Sequence, residues 1–284
     1  MKGRLIKWTV NKIADHHKAG FKRSFRHAWL NNIENRVNFN LVSFSGKKQF
    51  LDQLYSISSF YCNIGRPKSW IIYNDGTYSN EELDFFKKIE GVTIEEASSV
   101  RKELPEQALK KFPTLLKIEI LKNITPGIST IFTDSDILFY KRFADFIKTL
   151  ALQNWYIIDE GFRYFDDDFL KKNKTGSNPL NLGFMVLNSK PNWKTVIDYI
   201  VAKYKDGCLS YWTDQTACHI MAQNESFSPL PKEEFVVGGN DSFSFRSAVD
   251  YDQIALRHFV GPIRHKMWQR SWVKTLCLNR KSIL

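Results

Sequence analysis

Two aspartates stand two residues apart in the apolar segment IFTDSDILFY, at residues 131–140. Asp134 and Asp136 could converge on one hard divalent cation, because such ions prefer oxygen ligands and keep positions open for water or phosphate oxygens. The alternative is ordinary turn chemistry, in which one aspartate caps the chain and the other is solvated. The segment alone leaves both interpretations open.

The hydrophobic pattern indicates which elements would position these aspartates. The segments FNLVSFSG, SWIIYNDG, VTIEEA and STIF have the pattern of strands, and KKQFLDQLYSISSFY and NEELDFFKKI between them have helical spacing. This alternation predicts an α/β fold with a single doubly wound, mostly parallel sheet flanked by helices. Ligands bind beyond the carboxyl ends of such strands, and STIF ends directly before Thr133 and Asp134. We therefore expect the two carboxylates to line a crevice.

The second half of the chain continues the domain with less regularity. NWYIID, NLGFMVLN and EEFVVGG have strand patterns, while NWKTVIDYIVAKYK and YWTDQTACHIMAQ have helical ones. There is no internal repeat and no low-complexity linker. We predict one domain over residues 39–284, preceded by a basic N-terminal arm over residues 1–38.

Composition limits the class of protein. The 284 residues are 43% hydrophobic and 14% aromatic, which is typical of a packed globule. No apolar run approaches the roughly 18 to 20 residues of a membrane span, and no secretory signal pattern opens the sequence. The four cysteines form no CxxC pair, which argues against a zinc site or a disulfide framework. The expected location is the cytoplasm.

The net charge of +11 is concentrated towards the two ends of the chain. In the arm, basic residues alternate with apolar ones such as Leu5, Trp8 and Ile13, a mixture that suits an anionic membrane surface. The sequence thus predicts a peripheral location on the inner membrane face, with a simply solvated basic arm as the alternative. Charge alone does not choose between lipid, nucleic acid and diphosphate ligands.

Four segments in order resemble the motifs of GT-A fold glycosyltransferases of family 8, the glycogenin-like and bacterial lipopolysaccharide galactosyl- and glucosyltransferases. DSD at 134–136 is similar to their DxD motif, and NLGFMVLNS at 181–189 to N-[ST]-G-[VF]-M-[VL]-x-N. TDQTACHI at 213–220 resembles their DQ helix, and RHFVGPIRHKMW at 257–268 resembles H-x-x-G-x-x-K-P-W. The likeness spans roughly residues 39–270. Departures are Leu182 for Ser or Thr, Met267 for proline, and two extra residues between Gly261 and Lys266.

The resemblance implies a metal-dependent transfer of a hexose from a nucleotide-diphosphate sugar, UDP-sugar above all, to a glycan or lipid-linked acceptor, with retention of configuration. It implies Mn²⁺ or Mg²⁺ held by Asp134, Asp136 and His258, with Asp134 also meeting the donor ribose. Nucleic acid is not an expected partner.

The resemblance also implies roles for other residues. Lys117, Gly261 and Lys266 would contact the donor diphosphate, and Asn181 and Gly183 the donor sugar. The remaining predicted residues are Asp214 and Gln215, which would bond to the sugar or the acceptor. We expect Asp214, Asn181 and Asp159 to be catalytic, and an inverting enzyme would take its base from Asp159, Glu160 or Asp214.

Two other functions stay open at the sequence level. A nucleotidyltransferase shares the layered sheet and metal aspartates, although SFSGKKQF offers only one glycine where a phosphate loop would be Gly-rich. A non-catalytic module that binds nucleotide sugar or membrane is the other. The acidic run FDDDF at 165–169 is expected to be a solvated loop.

Overall fold

The computed structural model describes residues 2–124, 129–161, 165–166, 178–225 and 227–277. Within them the α-helices are α1 Lys2–Ser24, α2 Ala28–Asn31, α3 Phe50–Asn63, α4 Asn80–Lys87, α5 Glu106–Lys111, α6 Leu116–Lys122, α7 Ile147–Leu150, α8 Trp193–Lys205, α9 Thr213–Asn224 and α10 Trp272–Thr275. The strands are β1 Arg36–Ser45, β2 Arg66–Asn74, β3 Val92–Glu96, β4 Thr130–Thr133, β5 Ile137–Phe139, β6 Trp155–Ile158, β7 Leu180–Leu187, β8 Ser228–Pro229, β9 Phe235–Val237 and β10 Leu256–His258. Short 3₁₀ helices are Lys47–Gln49, Ala97–Ser99, Pro113–Leu115, Lys141–Phe146 and Gly261–Trp268.

The central sheet has seven strands in the order β3-β2-β1-β4-β7-β6-β8. Strands β1 to β4 run parallel, whereas β7 is antiparallel to both β4 and β6. The predicted mostly parallel sheet with flanking helices is confirmed. The neighbouring strands β4 and β7 run in opposite directions. Asp134 directly follows the carboxyl end of β4.

Both faces of the central sheet are covered by apolar side chains. Neighbouring residues of β1 point to opposite layers, with Leu41 in one buried cluster and Val42 in the other. Such burial on both faces explains why these strands read as continuous apolar runs.

A second sheet of three short strands, in the order β5-β10-β9, was not among the sequence predictions. β10 pairs antiparallel with β5 and parallel with β9. Its register sets His258 opposite Ile137, the residue after Asp136. The small sheet therefore carries a C-terminal histidine to the aspartates of the central sheet.

Helix α1 of the predicted arm packs on the domain. Val10, Ala14 and Phe21 are buried, and the Phe21 ring lies 5.3 Å from the Trp268 ring. Lys18 and the Trp268 indole N–H both donate to Asp52 Oδ1, at 2.8 and 2.7 Å. The helix thus rests against the 3₁₀ helix Gly261–Trp268, and the domain boundary at residue 38 stays a prediction.

Among the described helices, none combines the length and the apolar composition needed to cross a bilayer.

Candidate functional site

Two strand ends and one β-bridge bring Asp134, Asp136 and His258 together. Asp134 follows β4, and its backbone N–H donates to Gly183 O of β7 at 2.8 Å. Asp136 directly precedes β5, and His258, the last residue of β10, pairs with Ile137, the first residue of β5. His258 Nε2 lies 3.1 Å from Asp136 Oδ1 and 3.8 Å from Asp134 Oδ2. One ligand atom from each residue lies within 4.8 Å of the others, a spacing that suits one shared metal ion.

The hydrogen bonds around Asn181 fix the tautomer of His258. The Gly183 backbone N–H donates to Asn181 Oδ1 at 2.9 Å, and the Asn181 amide nitrogen donates to Asp159 Oδ2 at 2.7 Å. Asn181 Oδ1 is therefore an acceptor, so the His258 Nδ1 that lies 3.0 Å from it carries a hydrogen. In the neutral ring this leaves the lone pair on Nε2.

That lone pair faces the oxygen of a second acceptor, Asp136. Two acceptors 3.1 Å apart repel each other unless a proton or a cation lies between them. A histidine whose other nitrogen donates to an oriented partner is the usual arrangement of a metal-bound imidazole. One nitrogen with carboxylate oxygens suits a divalent ion such as Mn²⁺ or Mg²⁺, so these residues fit the ion expected from the sequence.

Two cations balance the carboxylates. Lys117 of α6 donates to Asp134 Oδ1 at 2.6 Å and to Oδ2 at 2.8 Å. Arg264 donates through Nε to Asp136 Oδ2 at 3.0 Å and through Nη2 to the same oxygen. Burial raises the pKa of Asp136, but His258 and Arg264 outweigh it and hold that pKa well below its usual value. Burial lowers the pKa of Lys117, but the Asp134 carboxylate outweighs it and the pKa is raised.

Asp214 and Gln215 open α9 on the far side of the same cavity. Burial raises the pKa of Asp214 to about 6, although Lys117 opposes this shift. Gln215 Nε2 donates to Asp159 Oδ2 at 3.1 Å, and its Oε1 accepts from the Leu182 N–H at 3.4 Å. Gln215 thereby ties the start of α9 to β7.

Asp159 has both carboxylate oxygens engaged within the protein. Oδ1 accepts from the Glu160 N–H at 2.6 Å, while Oδ2 accepts from Asn181 and Gln215. Burial raises the pKa of this carboxyl. With these bonds Asp159 orients Asn181 and Gln215, which in turn orient the neighbouring groups.

Gly183 makes the close approach of His258 to β7 feasible. A Cβ at this position would lie 2.1 Å from His258 Cε1 and 2.6 Å from Nδ1. Only glycine leaves room for the ring at this point of the strand.

Most of these residues line a cavity of about 220 Å³, whose lining also includes Tyr211, Trp212, Val260 and Gly261. A second cavity of about 470 Å³ lies beside it and shares Val260 in its lining. Glu160, Phe243 and the glycines Gly238 and Gly239 also line the second cavity. The two cavities therefore adjoin at Val260.

The structure brings together nearly all of the predicted site residues. Lining the first cavity are Lys117, Asp134, Asp136, Asn181, Gly183, Asp214, Gln215, His258 and Gly261, and Asp159 bonds to two of them. Lys266 does not join the group. Its fully buried side chain donates to the backbone oxygens of Ser244 at 2.7 Å and Arg246 at 3.3 Å.

Arg264 lines the cavity and donates to Asp136 but is absent from the sequence predictions. Lys266 is predicted to contact the donor diphosphate, but Arg264 is the cation that lines the cavity at this end of the motif. The signal was present, because His258-x-x-Gly261-x-x-Arg264 has the spacing of H-x-x-G-x-x-K with arginine in place of lysine. If the lysine of the family motif is matched to Arg264 instead of Lys266, the two extra residues between Gly261 and Lys266 disappear.

Part of the acidic run FDDDF lies outside the described residues, namely 167–169. Asp166 is described and accepts from the Tyr199 hydroxyl at 2.9 Å.

No protein-family model and no curated protein sequence matches this chain. Solved structures do match. The galactosyltransferase LgtC in complex with donor and acceptor sugar analogues is 12% identical, with a TM-score of 0.57, covering 86% of this chain and all of that one. Mouse xyloside xylosyltransferase 1 in its apo form is 11% identical, with a TM-score of 0.52, covering 78% and 97%.

A third match is the apo glycosyltransferase GlyE of Streptococcus pneumoniae, 14% identical with a TM-score of 0.54. It covers 86% of this chain and 63% of that one. All three matches are glycosyltransferases, and they confirm the predicted GT-A fold.

Proposed function

We propose that this protein is a metal-dependent glycosyltransferase that moves a hexose from a nucleotide-diphosphate sugar, with UDP as the nucleotide, to a glycan or lipid-linked acceptor. One observation carries the proposal. Ligand atoms of Asp134, Asp136 and His258 lie within 4.8 Å of one another, and Lys117 and Arg264 donate to the two carboxylates. A pyrophosphate needs this combination, since its charge is met by a divalent ion and by fixed cations together.

When bound, a divalent ion would act as a Lewis acid towards the negative charge that develops on the diphosphate. Asp134, Asp136 and His258 would hold it. Lys117 and Arg264 neutralise the carboxylates. Because both residues also line the cavity, their remaining N–H donors are available to phosphate oxygens. Arg264 is well suited to this role because a guanidinium binds phosphate through two parallel hydrogen bonds.

Asn181, Gly183, Asp214 and Gln215 form the side of the cavity that would receive the donor sugar. Asp214 and Gln215 present carboxyl and amide groups to hydroxyls, while Asp159 acts as a positioning residue through Asn181 and Gln215. The oxygens of Asp159 are engaged within the protein, which argues against Asp159 as the base of an inverting reaction. We favour retention, as the resemblance implies, in which a diphosphate oxygen assists the acceptor hydroxyl and no dedicated base is needed.

The neighbouring cavity of about 470 Å³ is the proposed acceptor site. Its position supports this assignment, since an acceptor must reach the donor sugar from one side. The match to LgtC, a galactosyltransferase solved with donor and acceptor sugar analogues, supports the pairing of two sugar sites in this fold. The cytoplasmic location expected from the sequence stays a prediction.

The test is a calorimetric titration with UDP and Mn²⁺. Wild-type protein should bind UDP in the presence of Mn²⁺, and Asp136→Ala should lose this metal-dependent binding while circular dichroism shows an intact fold. Asp84→Ala is the matched control, because the Asp84 side chain is 64% exposed and pairs only with Lys87 on α4. Equal titrations for wild type and Asp136→Ala would contradict the proposed metal site.

Donor identity is tested separately by release of UDP from a panel of UDP-sugars. The correct donor should be hydrolysed slowly without acceptor and should raise the melting temperature when Mn²⁺ is present, because a ligand stabilises the state that binds it. A protein that binds UDP and Mn²⁺ but releases UDP from no sugar donor would be a binding module instead.

A further inference from the structure

The outward face of α1 carries exposed apolar side chains. Leu5 is 64% exposed and Trp8 is 58% exposed. Val10, Ala14 and Phe21 are buried on the opposite face, which fixes the rotation of the helix about its axis. Leu5 and Trp8 therefore point away from the domain. The same packing places Phe21 of α1 against Trp268.

Basic residues surround these two side chains. The segment Lys2–Ser24 contains seven lysines and arginines, with Asp15 as its one acidic residue. Lys12 Nζ lies 5.9 Å from the centre of the Trp8 ring, and Arg4 and Lys12 are exposed beside it. Aromatic and aliphatic side chains flanked by basic ones are typical of helices that lie in the interface of an anionic bilayer.

The exposed apolar surface continues from α1 to the rim of the proposed acceptor cavity. Phe243 and Phe245 are 55% and 52% exposed. A Cβ on Gly3 would be 3.4 Å from Phe243, and Lys7 Nζ lies 5.5 Å from the Phe243 ring centre. Phe243 itself lines the cavity of about 470 Å³. We call Leu5, Trp8, Phe243 and Phe245 the α1 surface.

We propose that the α1 surface docks on an anionic lipid bilayer. The charge favours lipid over a second copy of this chain, because two chains of net charge +11 repel each other. Docking would set the mouth of the acceptor cavity at the headgroup level. Taken together with the proposed function, on which this last step rests, the acceptor is a glycan carried on a membrane lipid.

The experiment is co-sedimentation of the full chain with vesicles. Wild type should bind vesicles containing about 30 mol% phosphatidylglycerol at least about ten-fold more tightly than vesicles of phosphatidylcholine alone, and high salt should weaken the binding. Leu5→Ser/Trp8→Ser should lower the affinity about ten-fold without changing the charge. Leu152→Ser is the matched control, because Leu152 is 77% exposed and belongs to the segment between α7 and β6, and it should bind like wild type.

Wild-type protein that ignores anionic vesicles, or a double variant that binds them like wild type, would overturn the proposal. A dimer in analytical ultracentrifugation that the double variant dissolves would equally overturn it, because a second copy would then occupy the surface. UDP release from the donor in solution should be the same for wild type and double variant. Wild-type protein that releases UDP but does not bind anionic vesicles would refute the membrane surface alone, whereas wild-type protein that binds vesicles but releases no UDP would refute only the proposed enzyme.

Discussion

Gly183→Ala tests whether the closeness of His258 to β7 is what forms the metal site. The new Cβ would lie 2.1 Å from His258 Cε1, whereas non-bonded carbons prefer at least about 3.5 Å, so the ring must move by about 1.4 Å. Its hydrogen bond to Asn181 Oδ1, now 3.0 Å long, cannot survive such a displacement. Overpacking of this kind costs about 1 to 3 kcal/mol, and a mis-set imidazole lowers metal affinity about 10- to 100-fold.

The assay measures both quantities on the same protein. Mn²⁺ titration should show the 10- to 100-fold loss expected for a displaced ligand, and the melting temperature should fall by about 2 to 12 °C. Gly161→Ala is the matched control, because a Cβ there has nothing within 4 Å, and it should leave both unchanged. If Gly183→Ala melts lower but binds Mn²⁺ like wild type, His258 is not a ligand. If neither quantity changes, the ring does not lie against Gly183.

The remaining predictions concern pH, a buried ion pair and a helix cap. Burial raises the pKa of Asp214 to about 6, so the stability that comes from its neutral form is complete below about pH 4 and is lost as the pH rises through 6. Asp214→Asn should therefore melt like wild type near pH 4 and be more stable by up to about 3 kcal/mol at pH 7.5 in EDTA; equal stability at both pH values would contradict the shift. Arg257→Met should cost about 3 to 5 kcal/mol in urea unfolding, because the fully buried guanidinium donates to Gly238 O and Asp241; a cost below about 1 kcal/mol would refute this account. Ser79→Ala removes the capping box of α4 and should lower the free energy of unfolding by about 1 kcal/mol, with an unchanged urea midpoint as the contrary result.

The parts of this fold that could be predicted are those whose signal is local. Strands β1 to β4 are apolar runs bounded by turn residues, and Asp134 and Asp136 follow the last of them at the edge where parallel sheets bind ligands. Of the three-residue strands β5, β9 and β10, only β9 lies in a segment with a predicted strand pattern, EEFVVGG. Their sheet could not be predicted, because β10 pairs with β5 from a distant part of the chain. Lys266 shows a related limit. Its place in the motif did not reveal that its ammonium would turn to the Ser244 carbonyl.

The tautomer of His258 could not be predicted either. It depends on Asn181, which is held by Asp159, the residue after β6. Likewise, the spacing of Val10, Ala14 and Phe21 predicts a helix face, but it does not indicate that this face packs against Trp268. Contacts between distant segments decide such details, and a single sequence does not record them.

The shared bonding of Lys18 and Trp268 to one Asp52 oxygen bears on how this protein can be shortened. Deleting α1 would strip the cover from Trp268 and leave the Asp52 carboxylate without its lysine. The 3₁₀ helix Gly261–Trp268, which carries Arg264, would then lose its packing against α1. A version that begins after α1 should therefore hold Arg264 less firmly beside Asp136, although no residue of α1 lines the cavity.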